Sequence, residues 1–250
     1  MKDYLHFIMD VGEQMLISGA EVHRVEESIN RMASAFGAKR VDVFIITSSM
    51  VVTIYEEGDV SRTQTRRITS TTTDFEKLHL LNALSRKICE GKIPPENMEA
   101  ELQKAKNSKP YPFLVELLCY SIIAGAFTVF FGGSILEMLV SLVIGAIVRF
   151  GILLSEKTVT NKIFSKFISA VIATLFSYIA LKLSIISSVD KVIIGNIMTL
   201  IPGIGLTNAL RDLFTGDSIA GLLRSIEAAL IALAIAAGYF LVTILGGFTL

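Results

Sequence analysis

The stretch LLCYSIIAGAFTVFFGGSIL, residues Leu117–Leu136, runs for 20 positions without a charged side chain. As a helix rising about 1.5 Å per residue it crosses the roughly 30 Å of a bilayer's hydrocarbon core. The charges are distributed to match. The 250 residues include 23 basic and 23 acidic side chains, for a formal net charge of zero. Residues 1–110 carry 15 Lys/Arg and 16 Asp/Glu, whereas residues 111–250 carry only 8 and 7. The first part has the make-up of a water-soluble domain and the second that of a membrane bundle. A simple soluble enzyme, a basic nucleic-acid binder and a disulfide-stapled secreted domain are all excluded. Cys89 and Cys119 stand apart without a CxxC spacing and imply no redox or zinc framework.

Outward from that run, residues 111–250 read as a bundle of about five transmembrane helices. The spans are expected at about 113–132, 135–154, 167–186, 192–210 and 218–246. The second carries Arg149, and the fourth is broken at Pro202. Short loops set the orientation. With the N-terminus inside, Lys157, Lys162, Lys166, Arg211 and Arg224 fall on the cytoplasmic face. Lys191, with Lys182 close to it, falls on the other. Met1–Ser34 carries Lys2, Asp3, Asp10, Glu13 and Glu21, which leaves no apolar core for a translocation signal. The expectation is a multi-pass protein of the cytoplasmic (inner) membrane, its N-terminal domain inside the cell and its C-terminus outside.

Residues 1–110 read as a small cytoplasmic α+β domain. Leu5, Ile8, Met9, Gly12, Leu16, Gly19, Val22, Ile29, Met32 and Phe36 recur at helical spacing, which predicts one long amphipathic helix over Tyr4–Phe36. Gly12 and Gly19 on its apolar face suit close packing. Val41–Ile46, Met50–Tyr55 and Val60–Ile68 predict a three-stranded antiparallel sheet, with Glu57-Gly58-Asp59 as a turn. Asp74 is a good N-cap for a helix to Glu90, and Pro94-Pro95 opens another to Lys106. Residues 107–110 form the linker.

The chemistry concentrates in NIMTLIPGIGLTNALRDLFTGD, Asn196–Asp217. Pro202 removes a backbone donor mid-span, and broken backbone in lipid is tolerated only where it is buried in protein or lines a wet cavity. A half-helix starting after Pro202 would aim its positive end at the midplane, where transporters hold anionic groups. Thr199, Thr207 and Asn208 supply polar contacts. Arg211, Asp212, Arg224 and Glu227 form a charged cluster at the inner mouth. The plainer alternative is a proline kink with ordinary interfacial charges.

This stretch, continued through Gly216-Asp217-Ser-Ile-Ala-Gly-Leu222 and joined by Gly19-Ala-Glu21 and Arg24-Val-Glu26, resembles the threonine/serine exporter family. More closely it is similar to that family's N-terminal module, a cytoplasmic domain followed by about five spans. The resemblance implies export of small amino acids driven by the proton gradient or, in the two-subunit branch, export of succinate. It also implies a second, smaller membrane module, supplied here by a separately encoded membrane protein, and assembly into an oligomer. Carried over residue by residue, the motif comprises Pro202, Gly203, Thr207, Asn208, Arg211, Asp212, Gly216 and Asp217. With Thr199 and without Gly216 these are the expected substrate or pathway residues. Thr207 and Asn208 are read as substrate contacts, Asp212 as proton carrier, and Arg211 as its partner or a carboxylate clamp. Glu227 is the second choice for proton coupling.

Glu21, Arg24 and Glu26 read first as a solvated or domain-closing ion network, and alternatively as a gate docked under the pore. Arg149 sits near the inner end of its span, placed to snorkel, with a substrate role as the rival reading. Glu116 and Glu137 are expected at water-facing span ends, and Glu227 is spaced to pair with Arg224. His6, His23 and His79 lack metal-ligand spacing, so neither a metal nor a cofactor is expected. A membrane-anchored sensor or scaffold is the alternative from another functional class. The spans contain no nucleophile–base pair and no phosphate-binding loop, so no enzyme is expected.

Overall fold

The computed structural model describes residues 4–58, 60–158 and 161–247. Asp59, expected in a turn, and the side chain of Lys157, expected among the inner-face charges, lie outside the described residues. The chain divides into two compact units, Met1–Lys109 with Ile204–Ser225, and Pro110–Gly203 with Ile226–Leu250.

The first unit opens with α1 (Tyr4–Ile17) and α2 (Val22–Ala35) in place of the single long helix expected. The chain breaks at Gly19, whose φ of +91° belongs to the left-handed region that a side chain disfavours. A Cβ there would also lie 2.7 Å from the carbonyl oxygen of Thr72. Apolar spacing runs through the break because both helices turn their greasy faces to one core. Gly12, by contrast, is a packing glycine: a Cβ would press to 2.9 Å from Ile29 Cδ1 and 3.2 Å from Met50 Sδ.

Strands β1 (Arg40–Ile46), β2 (Ser49–Tyr55) and β3 (Ser61–Arg67) form an antiparallel sheet in the order β1-β2-β3. Val43 pairs with Val52, which in turn pairs with Gln64. Met50, Val52 and Ile54 alternate inward on the central strand and are buried. Helices α3 (Phe75–Cys89) and α4 (Pro95–Lys106) follow, and Asp74 caps α3 by accepting from Lys77 N at 2.9 Å. Leu5, Ile8, Met9, Ile29, Met32, Leu81 and Leu102 fill one core. Ala220, from far along the chain, is part of it.

The second unit holds α5 (Phe113–Phe130), α6 (Ile135–Thr158), α7 (Lys162–Lys182), α8 (Val189–Ile197) and most of α10 (Ser218–Leu245). Among the described residues, four helices are long and apolar enough to cross a membrane: Phe113–Phe130, Ile135–Ser155, Lys162–Lys182 and Ser218–Leu245. The chain is an α-helical membrane protein. The segment expected as the fourth span is instead two short helices, α8 and α9 (Gly203–Thr215), separated by Met198–Pro202. Pro202 lacks the N–H a continuous helix would need.

Between helices of this unit, hydroxyls pair directly. Thr128 donates to Ser141 at 2.6 Å, and Ser155 and Ser165 lie 2.6 Å apart. Such bonds tie helices together where no water competes. Glu137 is not at a water-facing end. It is buried, accepting from the backbone N–H of Ser134 at 2.7 Å and of Ser188 at 2.7 Å. The Glu137 N–H in turn donates to the Ser134 hydroxyl at 3.3 Å, a capping box, so one carboxylate serves the starts of both α6 and α8. Arg149 does not snorkel freely either. Its guanidinium binds Glu116 through Nε at 3.1 Å and through a second nitrogen, beneath the rings of Phe113 and Tyr120.

Candidate functional site

The break after Gly19 exposes backbone. The carbonyls of Gly19 and Ala20 lie outside any helix, and α2 is preceded by Glu21, an extended N-cap residue whose own side chain does not cap it. The partners come from 189 and 204 residues further along the chain. Asn208 Nδ2 donates to Gly19 O at 3.3 Å, and Arg224 donates to Ala20 O at 2.8 Å. Arg211 forms an ion pair with the Glu21 carboxylate. The turn Gly19-Ala20-Glu21 is therefore gripped by three residues of α9 and α10, all within the first unit.

Asp212 sits behind this grip. It is 0% exposed, with its Oδ2 3.4 Å from an Arg224 guanidinium nitrogen. The Val22 N–H at the start of α2 also faces it. Neither contact closes a well-aligned hydrogen bond on the carboxylate oxygens. Burial pushes the Asp212 carboxyl above the ordinary carboxylate range, opposed chiefly by Arg224 and then by the Val22 N–H. Asp217, at the α9–α10 corner, has a buried Oδ2 with no hydrogen-bond partner among the described residues. Glu26, one turn along α2, is partly buried and pushed up to about 7, first by burial and then by the charge of Asp217.

Of the residues singled out from sequence, Asn208, Arg211, Asp212, Asp217, Glu21 and Glu26 come together here. Thr207 is exposed on α9, and Arg24 is exposed on α2 with no ion pair among the described residues. Gly216 takes a φ of +101° in the turn before α10. Arg224 is turned to Asp212 and Ala20 instead of along its own helix toward Glu227, which is exposed. Thr199 and Pro202 lie in the break, where the Thr199 hydroxyl donates to Asn196 O at 2.7 Å. Asn196 went unremarked in the sequence. It is fully buried in α8, donating to Val192 O at 2.9 Å and leaving its Oδ1 unpartnered among the described residues. An amide in an apolar run was its visible signal.

The arrangement is one of charge and backbone recognition, without an array for bond making. No group of three His, Cys, Asp or Glu side chains among the described residues is placed to hold a metal. The chain is thus a helical membrane protein with a partly buried charge cluster and an apolar segment broken at Met198–Pro202. Residues 6–246 match the family described as putative threonine/serine exporter, and the chain belongs to that family. It is 26% identical over 238 residues to the threonine/serine exporter of Corynebacterium glutamicum, a match covering 91% of this chain and 48% of that one. The chain thus spans about half the length of the curated relative it matches. No solved structure matches it.

Proposed function

We propose that this chain is one subunit of a secondary exporter that moves small carboxylate-bearing metabolites across the cytoplasmic membrane, driven by the proton gradient. Threonine and serine are the preferred substrates. The observation that carries the reading is the break at Met198–Pro202, which frees α9 to present Asn208, Arg211 and Asp212 on one side. A continuous apolar anchor needs neither the break nor a buried acid.

Arg211 pairs with the Glu21 carboxylate, and a substrate carboxylate would bind by displacing Glu21 from it. Succinate remains the rival substrate, and it calls for a second cation. Arg149 is committed to Glu116 within its own unit, which favours the monocarboxylate amino acids. A small second membrane protein supplies the other module, and the N-terminal unit faces the cytoplasm.

Radiolabelled threonine, serine and succinate loaded into proteoliposomes, with and without the small partner, test this reading. Threonine and serine should leave faster under an inward proton gradient, and only with the partner present. If no solute moves while the N-terminal unit binds a metabolite, the chain is a membrane-anchored sensor instead.

A further inference from the structure

Four carboxylates gather where α2 meets the α9–α10 corner: Glu21, Glu26, Asp212 and Asp217. Two guanidiniums answer them. Arg211 is taken by Glu21, and Arg224 divides itself between Ala20 O and Asp212. Among the described residues that leaves Glu26 and Asp217 without an ion-pair partner, their charges opposing each other, with His23 on the helix of Glu26 as a weaker counter-charge.

The hydrogen bonding is just as incomplete. Both oxygens of the fully buried Asp212 and Oδ2 of Asp217 accept no hydrogen bond among the described residues. Buried acceptors without donors are rare in folded proteins, because each forfeits its hydration. A carboxylate that takes up a proton becomes a donor and repairs both deficits at once, in charge and in hydrogen bonding. The metal-ligand geometry needed for a divalent cation is not formed among the described residues.

We propose that Glu26, together with Asp217 and buried Asp212, forms a proton-binding site inside the first unit, in which one proton is held among the three carboxyl groups. The proton resides on Glu26 and is shared toward Asp217. From β1 the Ile45 N–H faces Glu26. Asp212 is faced by Arg224, the Val22 N–H, Asp217 and Glu21. Burial and the charge of Asp217 raise the proton affinity of Glu26, to about 7, so the site exchanges its proton near neutral pH. Losing the proton leaves Glu26 and Asp217 both charged, which opposes the grip of α9 and α10 on the Gly19-Ala20-Glu21 turn. A role in driving export rests on the exporter reading above, whereas the existence of the site does not.

Carbon-13 NMR of side-chain carboxyls, on the full chain in lipid nanodiscs, reads the site directly. One glutamate should titrate near neutrality, and that signal should vanish in Glu26→Gln. In Asp217→Asn its midpoint should fall by roughly one unit as the like charge is removed. A Glu26 midpoint in the ordinary glutamate range overturns the proposal, as does a midpoint unmoved by Asp217→Asn. Should Asp217→Asn fail to fold, Asp212→Asn provides the same reading with a smaller fall expected, and an unmoved midpoint there is equally fatal. Efflux from proteoliposomes holding the wild type and its small partner separates the two ideas: no solute movement there, with Glu26 titrating near 7, refutes the exporter and leaves the site standing.

Discussion

Arg224 and Asp212 face each other at 3.4 Å in the first unit, with Asp212 wholly buried and only 14% of the Arg224 side chain exposed. The same guanidinium closes the carbonyl of Ala20, so a single cation neutralises an acid of α9 and ties down the turn between α1 and α2.

Removing that cation strands the acid. Arg224→Ala should lower the stability of the protein in nanodiscs by about 3 kcal/mol, the usual penalty for a buried charge left alone. The double variant Arg224→Ala/Asp212→Asn should recover part of the loss. Thermal unfolding of the three proteins checks this, and a double variant no more stable than the single one contradicts it.

Gly19 carries the left-handed backbone on which the grip depends. Gly19→Ala combines an unfavourable φ with a 2.7 Å approach to the Thr72 carbonyl, and should cost about 1–3 kcal/mol. Gly37, also at positive φ but with open space around it, should tolerate alanine better. Comparing the unfolding midpoints of the two variants decides the matter.

The raised midpoint of Glu26 makes stability depend on pH in a definite direction. Below the unfolded value, near 4.5, the group is protonated in both states and nothing is lost. As pH rises from there to about 7 the unfolded chain releases its proton first, and the folded state loses stability over that window. Glu26→Gln should therefore match the wild type at acid pH and exceed it increasingly up to neutrality. Melting curves across that range test the sign.

Chain direction gives a prediction on sidedness. Ile204–Ser225 folds with the N-terminal domain, and under the proposed topology the residues between α7 and α10 supply a further crossing of the membrane. A periplasmic-type reporter fused at the C-terminus should then be active, and one fused after residue 34 inactive. The reverse pattern contradicts the five-crossing topology.

Legibility in the sequence followed the range of the interactions. The four continuous spans are visible because absence of charge is a local property, and the sheet because β-branched residues cluster around two turns. The break between α1 and α2 is not visible, since Leu16, Gly19 and Val22 keep a three-residue spacing straight through it. Ser134-x-x-Glu137 is a legible capping box, yet proximity to a span end concealed it. Asn208, Arg211 and Asp212 stood out as polar groups in an apolar context. Their partners did not, because pairing Asn208 with Gly19 or Arg211 with Glu21 joins positions about 190 residues apart. Periodicity carries no information over that distance.

The most direct test measures efflux of labelled threonine from proteoliposomes containing the complete exporter, under an inward proton gradient, for wild type, Asp212→Asn and Asn208→Ala at matched protein content. Both variants should lose gradient-driven efflux while remaining folded. Efflux at the wild-type rate from either folded variant would show that the α9 polar face takes no part in transport.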